Sequence, residues 1–226
     1  MAKIKFGMMM TDARGKLGGQ VFSKNRSGAY VRTKVTPVNP RTAAQQLSRS
    51  ILGTLSASWS GLTEVQRRSW NAAVDDWQRT DIFGDLRKPT GKNLFTSLNK
   101  ELLQSKQSQV LLPPDKVVIP DIIINQAVYD KDKTTFAIQT AGDSTGFTFQ
   151  VWATPTMTQG TTFIDDKLRV LDYTVGSNGA SLEVKQAYDE KFGIPEDGAN
   201  LWVQIKLIAP NGQASVPVRF KASVIS

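Results

Sequence analysis

Apolar residues recur at three- and four-residue steps through Ala44, Leu47, Ile51, Leu55 and Trp59, a single stripe that predicts an amphipathic helix. Asn39 is expected as its N-cap with Pro40 at the first helical position, and Gly61 closes it. Thr63 then opens a second helix, with Gln66 three residues on as in a capping box and Trp70, Ala73, Val74 and Trp77 as its stripe. Beyond the loop "TDIFGDLRKPTG" a third helix is expected from about Lys92 to Ser105, with Leu94, Phe95, Leu98 and Leu102 inward. Three helices within about 65 residues make a marginal core, so this unit should pack against something larger.

The texture changes after "QSQVLLPPDKVVIP", whose three prolines and low charge read as an interdomain linker. Seven short strands are expected in "IIINQAVY", "TTFAIQT", "FTFQVWAT", "KLRVLDYTV", "ASLEVK", "LWVQIKLIA" and "VPVRFKASVI", with turns at Asp143, Gly146, Asn178-Gly179 and Asn211-Gly212. Alternation places Phe147, Phe149, Val151 and Ala153 on one face, and likewise Leu201, Val203, Ile205 and Leu207. This number and spacing of strands suits an immunoglobulin-like sandwich. "AYDEKFGI" reads as a short helix bridging it.

Ahead of the helices, Gln20–Asn25 and Ala29–Lys34 are rich in strand formers and flank "RSG". A three-residue loop with Gly28 in its last position would pair Asn25 with Ala29, Lys24 with Tyr30 and Phe22 with Arg32. One face would then carry Phe22, Lys24, Tyr30 and Arg32, and the other Val21, Ser23, Val31 and Thr33. "TPVNP" follows in extended form. A lone hairpin is marginal in water, so it reads as a docking element. The expected class is α+β and multidomain. A basic extended arm with a β-hairpin (1–38) precedes a small helical region (39–106), the linker (107–120) and an all-β, Ig-like or fibronectin type III-like sandwich (121–226).

Charge sharpens this picture. Residues 1–50 hold ten Lys/Arg against Asp12 alone, a net +9, while 51–115 carry +1 and 116–226 carry −2. A basic arm leads into near-neutral folded parts. No apolar run reaches the roughly 20 residues of a membrane span, and the start lacks the apolar core of a secretory signal. The chain has no cysteine and no histidine, which removes disulfides, thiolate nucleophiles, imidazole bases and ordinary zinc sites.

The remaining chemistry is thin. "GKLGG" lacks the Gly-Lys-Ser/Thr of a phosphate-binding loop, so its glycines read as tight turns. Asp75-Asp76 cannot face one another on a helix, and Asp165-Asp166 falls in a loop. "DKDKTT" at Asp130 and Asp132 lacks the glycine and distal glutamate of a calcium loop. Ser97 and Lys100 match Ser-x-x-Lys, but on a structural helix. Trp59, Trp70 and Trp77 read as helix core rather than a stacking platform, whereas Trp152 and Trp202 alternate out of the aliphatic faces. No cofactor, metal or catalytic residue is expected, and the chain does not read as an enzyme.

The basic arm carries two readings. As an assembly arm it would grip a neighbouring subunit through Phe22, Lys24, Tyr30, Val31, Arg32 and Lys34. As a nucleic-acid contact it would use Arg14, Lys16, Lys24, Arg26, Arg32, Lys34 and Arg41, with no recognisable base-reading helix.

"DARGKLGGQVFSKNRSGAYVRTKVTPVNPRTAAQQ", followed by "WSGLTEVQRRSW" and "DIFG", resembles small structural proteins encoded by tailed phages, notably phages and prophages of Bacteroidota, including crAss-like phages. The resemblance spans about residues 7–100, through the glycine-flanked "VFS" hairpin, "NP-T-AQ" and the two-tryptophan helix pair. It implies a non-enzymatic virion component of capsid, collar or tail, multimeric in the particle and present in the host cytoplasm during assembly. Its partners would be capsid, portal or tail subunits, with the Ig-like domain displayed or bridging. The alternatives are a DNA-contacting internal virion protein and a host-surface or glycan-binding module resting on Trp152 and Trp202.

Overall fold

A computed structural model describes residues 2–25, 28–80, 84–133, 135–158, 160–177, 179 and 181–225. They form two compact units, Met1–Gln46 and Leu47–Ser226. The chain combines helices with strands, and its C-terminal part is mostly sheet.

In the first unit four short strands, β1 (Ala2–Lys3), β2 (Gly15–Leu17), β3 (Gln20–Asn25) and β4 (Gly28–Thr33), pair antiparallel in the order β1-β4-β3-β2. The hairpin is therefore not alone. Leu17 pairs with Gln20 across Gly18-Gly19, and Gly18 has φ 57°, the left-handed conformation a two-residue hairpin turn requires. The expected β3–β4 register is one residue out. Asn25 pairs with Gly28, Ser23 with Tyr30, Phe22 with Val31 and Val21 with Arg32, so Gly28 belongs to the ladder rather than to the loop. Gly28 takes this place at φ 109°, a backbone conformation open to glycine without strain. Because side chains alternate with period two, this slip moves Tyr30 and Arg32 off the face of Phe22 and Lys24. No described residue of this unit is buried.

Residues 34–42 belong to no helix or strand. The expected cap at Asn39 is also displaced. Asn39 Oδ1 accepts from the Arg41 N–H at 3.3 Å, and Arg41 has φ 49°, which cannot continue a right-handed helix. Thr42 takes over as cap, its hydroxyl accepting from Gln45 N and its carbonyl from Gln46 N.

Helix α1 (Ala43–Gly61) follows, then α2 (Glu64–Ala73), a small hairpin of β5 (Arg79–Thr80) and β6 (Leu86–Arg87), and α3 (Gly91–Gln104). The Thr63/Gln66 capping box forms as expected. Ile51, Leu55, Leu62, Trp70, Trp77, Leu94, Phe95 and Leu98 make the helical core, with the Trp70 and Phe95 rings edge to face at 5.3 Å. The α1 stripe is buried only from Ile51 onward. Ala44 and Leu47 are exposed, because α3 ends at Gln104, beside Ser48, and covers no earlier turn.

All seven strands expected in the C-terminal part are present: β7 (Ile123–Asp130), β8 (Phe136–Ala141), β9 (Thr148–Ala153), β10 (Arg169–Val175), β11 (Ser181–Glu183), β12 (Leu201–Ile208) and β13 (Val218–Ile225). Their order is β10-β9-β12-β13-β7-β8-β11. β13 pairs antiparallel with β12 through Val218–Ala222 and then parallel with β7 through Ser223–Ile225. Residues of β8 and β11 share one core with β9 and β12, so the sheet curls over on itself toward a barrel. Helix α4 (Lys185–Phe192) plugs it with Tyr188, which stacks among Tyr129, Phe136 and Phe192 and donates to Thr154 O.

Segment 107–120, read above as a linker, is tied down along its length. Trp70 Nε1 donates to Leu111 O at 2.9 Å, Gln107 Nε2 to Thr148 Oγ1 at 2.7 Å, and Val117 N to Gln213 Oε1 at 2.7 Å. The β12–β13 turn lies against α3, where a Cβ on Gly212 would sit 2.3 Å from Leu98 O. Beside it Lys206 and Glu101 pair at 2.8 Å, both about five-sixths buried.

Candidate docking surface

The first unit holds nine Lys/Arg and one carboxylate, a net +8, whereas the second balances nineteen against nineteen. All of the net charge thus sits in the unit whose sheet has no fully buried described residue. Its register sorts the expected contact residues onto two faces, because directly paired residues project to the same side. Phe22, Val31 and Ala2 form one row, with Lys24 and Ala29 in the next and Leu17 and Gln20 beyond. Tyr30, Ser23 and Lys3 form a row on the opposite face, followed by Arg32, Val21 and Lys16. Phe22 and Val31 are half-buried, and Leu17 is 73% exposed.

The other expected residues lie apart from these rows. Lys34 follows β4 and donates its backbone N–H to Gly19 O. Arg14 is occupied by Asp12 at 3.5 Å. Arg41 sits in the left-handed residue before α1. Arg26 lies outside the described residues. Sequence reasoning missed Ala2, Lys3 and Leu17 because β1 and β2 are two and three residues long. The visible signal was Gly18-Gly19, a two-residue turn that implies a strand on each side.

The second unit uses its polar residues for structure. Asp75 pairs with Lys88 at 2.5 Å and Asp165 with Arg219. Asp130 accepts from the Lys133 N–H at 2.9 Å and lies 3.2 Å from Lys133 Nζ; these hold its carboxyl below the usual range. Burial pushes the Tyr129 and Tyr188 hydroxyls up, Tyr129 further through its 2.6 Å bond to Asp189. Lys185 Nζ donates to the carbonyls of Asp130, Lys131 and Lys133. Ser97 lines a cavity with Trp77, Lys116 and Lys206, while Lys100 lines a separate groove between α1 and α3, so the two do not form one site. Trp70 and Trp77 are buried in the helical core, and Trp152 and Trp202 are half-buried on neighbouring strands. Among the described residues no cluster of three metal-ligating side chains occurs, and no helix is long and apolar enough to cross a membrane.

No protein family and no curated protein matches the chain. Among solved structures, the crystal structure of the periplasmic chaperone SfaE is similar over 46% of this chain, at 10% identity and a TM-score of 0.23; the match spans 53% of the chaperone, about half its length.

Proposed function

We propose that the protein is a non-enzymatic structural component of a tailed-phage virion, anchored to neighbouring subunits by its N-terminal sheet. The carrying observation is that the whole net charge falls in the first unit, whose four-stranded sheet lacks any buried described residue. A sheet gains independent stability by burying one face, and this one keeps Phe22, Val31 and Leu17 at least partly open to a partner. The resemblance of residues 7–100 to tailed-phage structural proteins supplies the setting.

The C-terminal part supports an immunoglobulin-like reading. β7, β8 and β11 lie on one side of the β13 switch and β10, β9 and β12 on the other, with their inward residues in one core. In this role it is the displayed or bridging module, held to the helices by segment 107–120.

Limited trypsin digestion of the purified chain and of particles containing it tests the proposal. Sites within residues 1–46 should be cut well before those in 47–226 in the free chain, and be protected in the particle. Equal resistance of both parts in the free chain overturns the anchoring role.

A further inference from the structure

The anchoring proposal uses the face of Phe22 and Val31 and leaves the reverse of the sheet unexplained. That reverse carries Lys3, Lys16 and Arg32, all exposed, around half-buried Val21, Ser23 and Tyr30. Lys16 and Arg32 project from the strands on either side of β3, about 10 Å apart at the backbone given a strand spacing of about 4.8 Å. Lys3 lies one strand from Arg32 and two residues along, about 8 Å away. Arg32 thus lies within about one Debye length of both lysines at 0.1 M salt and raises the potential at each, while Lys3 and Lys16 bracket it at opposite edges of the sheet. No carboxylate occurs between Asp12 and Glu64, and Asp12 is engaged by Arg14. The sheet therefore presents a cationic face with no acidic residue of its own to balance it.

We propose that the Lys3–Lys16–Arg32 face binds the phosphate backbone of duplex DNA without reading its sequence. Protein–protein interfaces deplete charge at their centre and place aromatic or aliphatic anchors there, whereas DNA interfaces are strongly positive. The register gathers Lys3, Lys16 and Arg32 on one face and leaves the other with Lys24 alone beside Phe22, Val31 and Leu17, so the two faces suit two different partners. Among the described residues the first unit has no helix before Ala43, and a sheet four strands wide is broader than the two-stranded ribbon a major groove admits, so the face offers phosphate-gripping charge without an element that enters the groove. Binding through three phosphates contributes about −2.7 to the slope of log K against log salt, roughly a six-fold loss of affinity per doubling of salt.

The test is fluorescence anisotropy of the full chain with labelled duplex DNA of two unrelated sequences, between 50 and 300 mM salt. Both duplexes should bind equally. Lys16→Gln should lower the slope by about 0.9 and the triple variant Lys3→Gln/Lys16→Gln/Arg32→Gln by about 2.7, while Lys24→Gln on the opposite face leaves it unchanged. The single variants remain readable if the triple variant fails to fold. Polyglutamate at equal charge should not displace the DNA. No binding at 50 mM salt, equal effects of Lys16→Gln and Lys24→Gln, or equal displacement by polyglutamate (which would indicate an acidic protein partner) each overturns the proposal. None of these outcomes touches the anchoring role, whose test is the digestion pattern.

Discussion

Asn99 offers a measurable handle on whether the helices and the C-terminal sheet move as one piece. It sits on α3 with no exposed surface; its Nδ2 donates to Phe95 O at 3.0 Å and Val110 O at 3.1 Å, and its Oδ1 accepts from Val110 N at 2.7 Å. Phe95 O has a helical partner in any case, so the bonds at stake are the two to Val110. Replacing Asn99 with Leu, which keeps the branched outline but is larger, removes both and leaves the Val110 amide and carbonyl half-buried beside an apolar group. At about 1 kcal/mol per net bond, plus about 1–2 kcal/mol for groups left without partners, the cost is about 3–4 kcal/mol. For a unit of 150–250 residues that lowers Tm by roughly 5–15 °C. Differential scanning calorimetry measures it, and trypsin or chymotrypsin cleavage near residues 106–112 should accelerate in parallel. A loss under about 1 kcal/mol, or faster unfolding without faster cleavage at the strap, would show that Asn99 does not hold this segment.

Two further outcomes follow from the geometry. With no native cysteine, Phe22→Cys/Val31→Cys should oxidise readily to a cross-strand disulfide, since direct partners lie about 4.5–5.5 Å apart at Cα; Phe22→Cys/Arg32→Cys, with side chains on opposite faces, should not, and thiol titration separates the registers. For Asp130, whose folded carboxyl titrates below the unfolded value of about 3.9, the stabilisation is complete above that value and is lost as pH falls through the lower folded value. Asp130→Asn should therefore flatten the decline in Tm below about pH 4, and an unchanged acid limb would show that the carboxylate contributes nothing.

Local pattern carried a large share of this structure. The Thr63/Gln66 box, the α3 stripe, the seven C-terminal strands and the helix holding Tyr188 were all legible, because each depends on periodicity or on bonds spanning three or four residues; the α2 stripe held only through Ala73, where the helix ends, and Trp77 reaches the core from the turn beyond it. The alternation in β12 alone placed Leu201, Val203, Ile205 and Leu207 in the core. The docking surface was legible only in part. Its charge could be counted, but the grouping of its side chains could not, because the choice between a two- and a three-residue turn reverses one whole strand face against the other.

The helix start failed for a related reason. Asn39-Pro40 is a good cap by type, yet a single left-handed residue at Arg41 ends its claim and hands the cap to Thr42. The prolines of 107–120 show only that the segment is neither helix nor strand. That it is bound by Trp70, Asn99, Thr148 and Gln213 depends on residues 11 to 96 positions away. The chain by itself determined its helices to within a turn, its seven C-terminal strands and where its charge is concentrated, since these follow from neighbours a few positions apart, whereas the short strands β1, β2, β5 and β6 and the exposure of Ala44 and Leu47 do not. Only the tertiary structure decided which cations share a face with Phe22 and which with Tyr30, because strand register is set by pairing between segments and not by either segment alone.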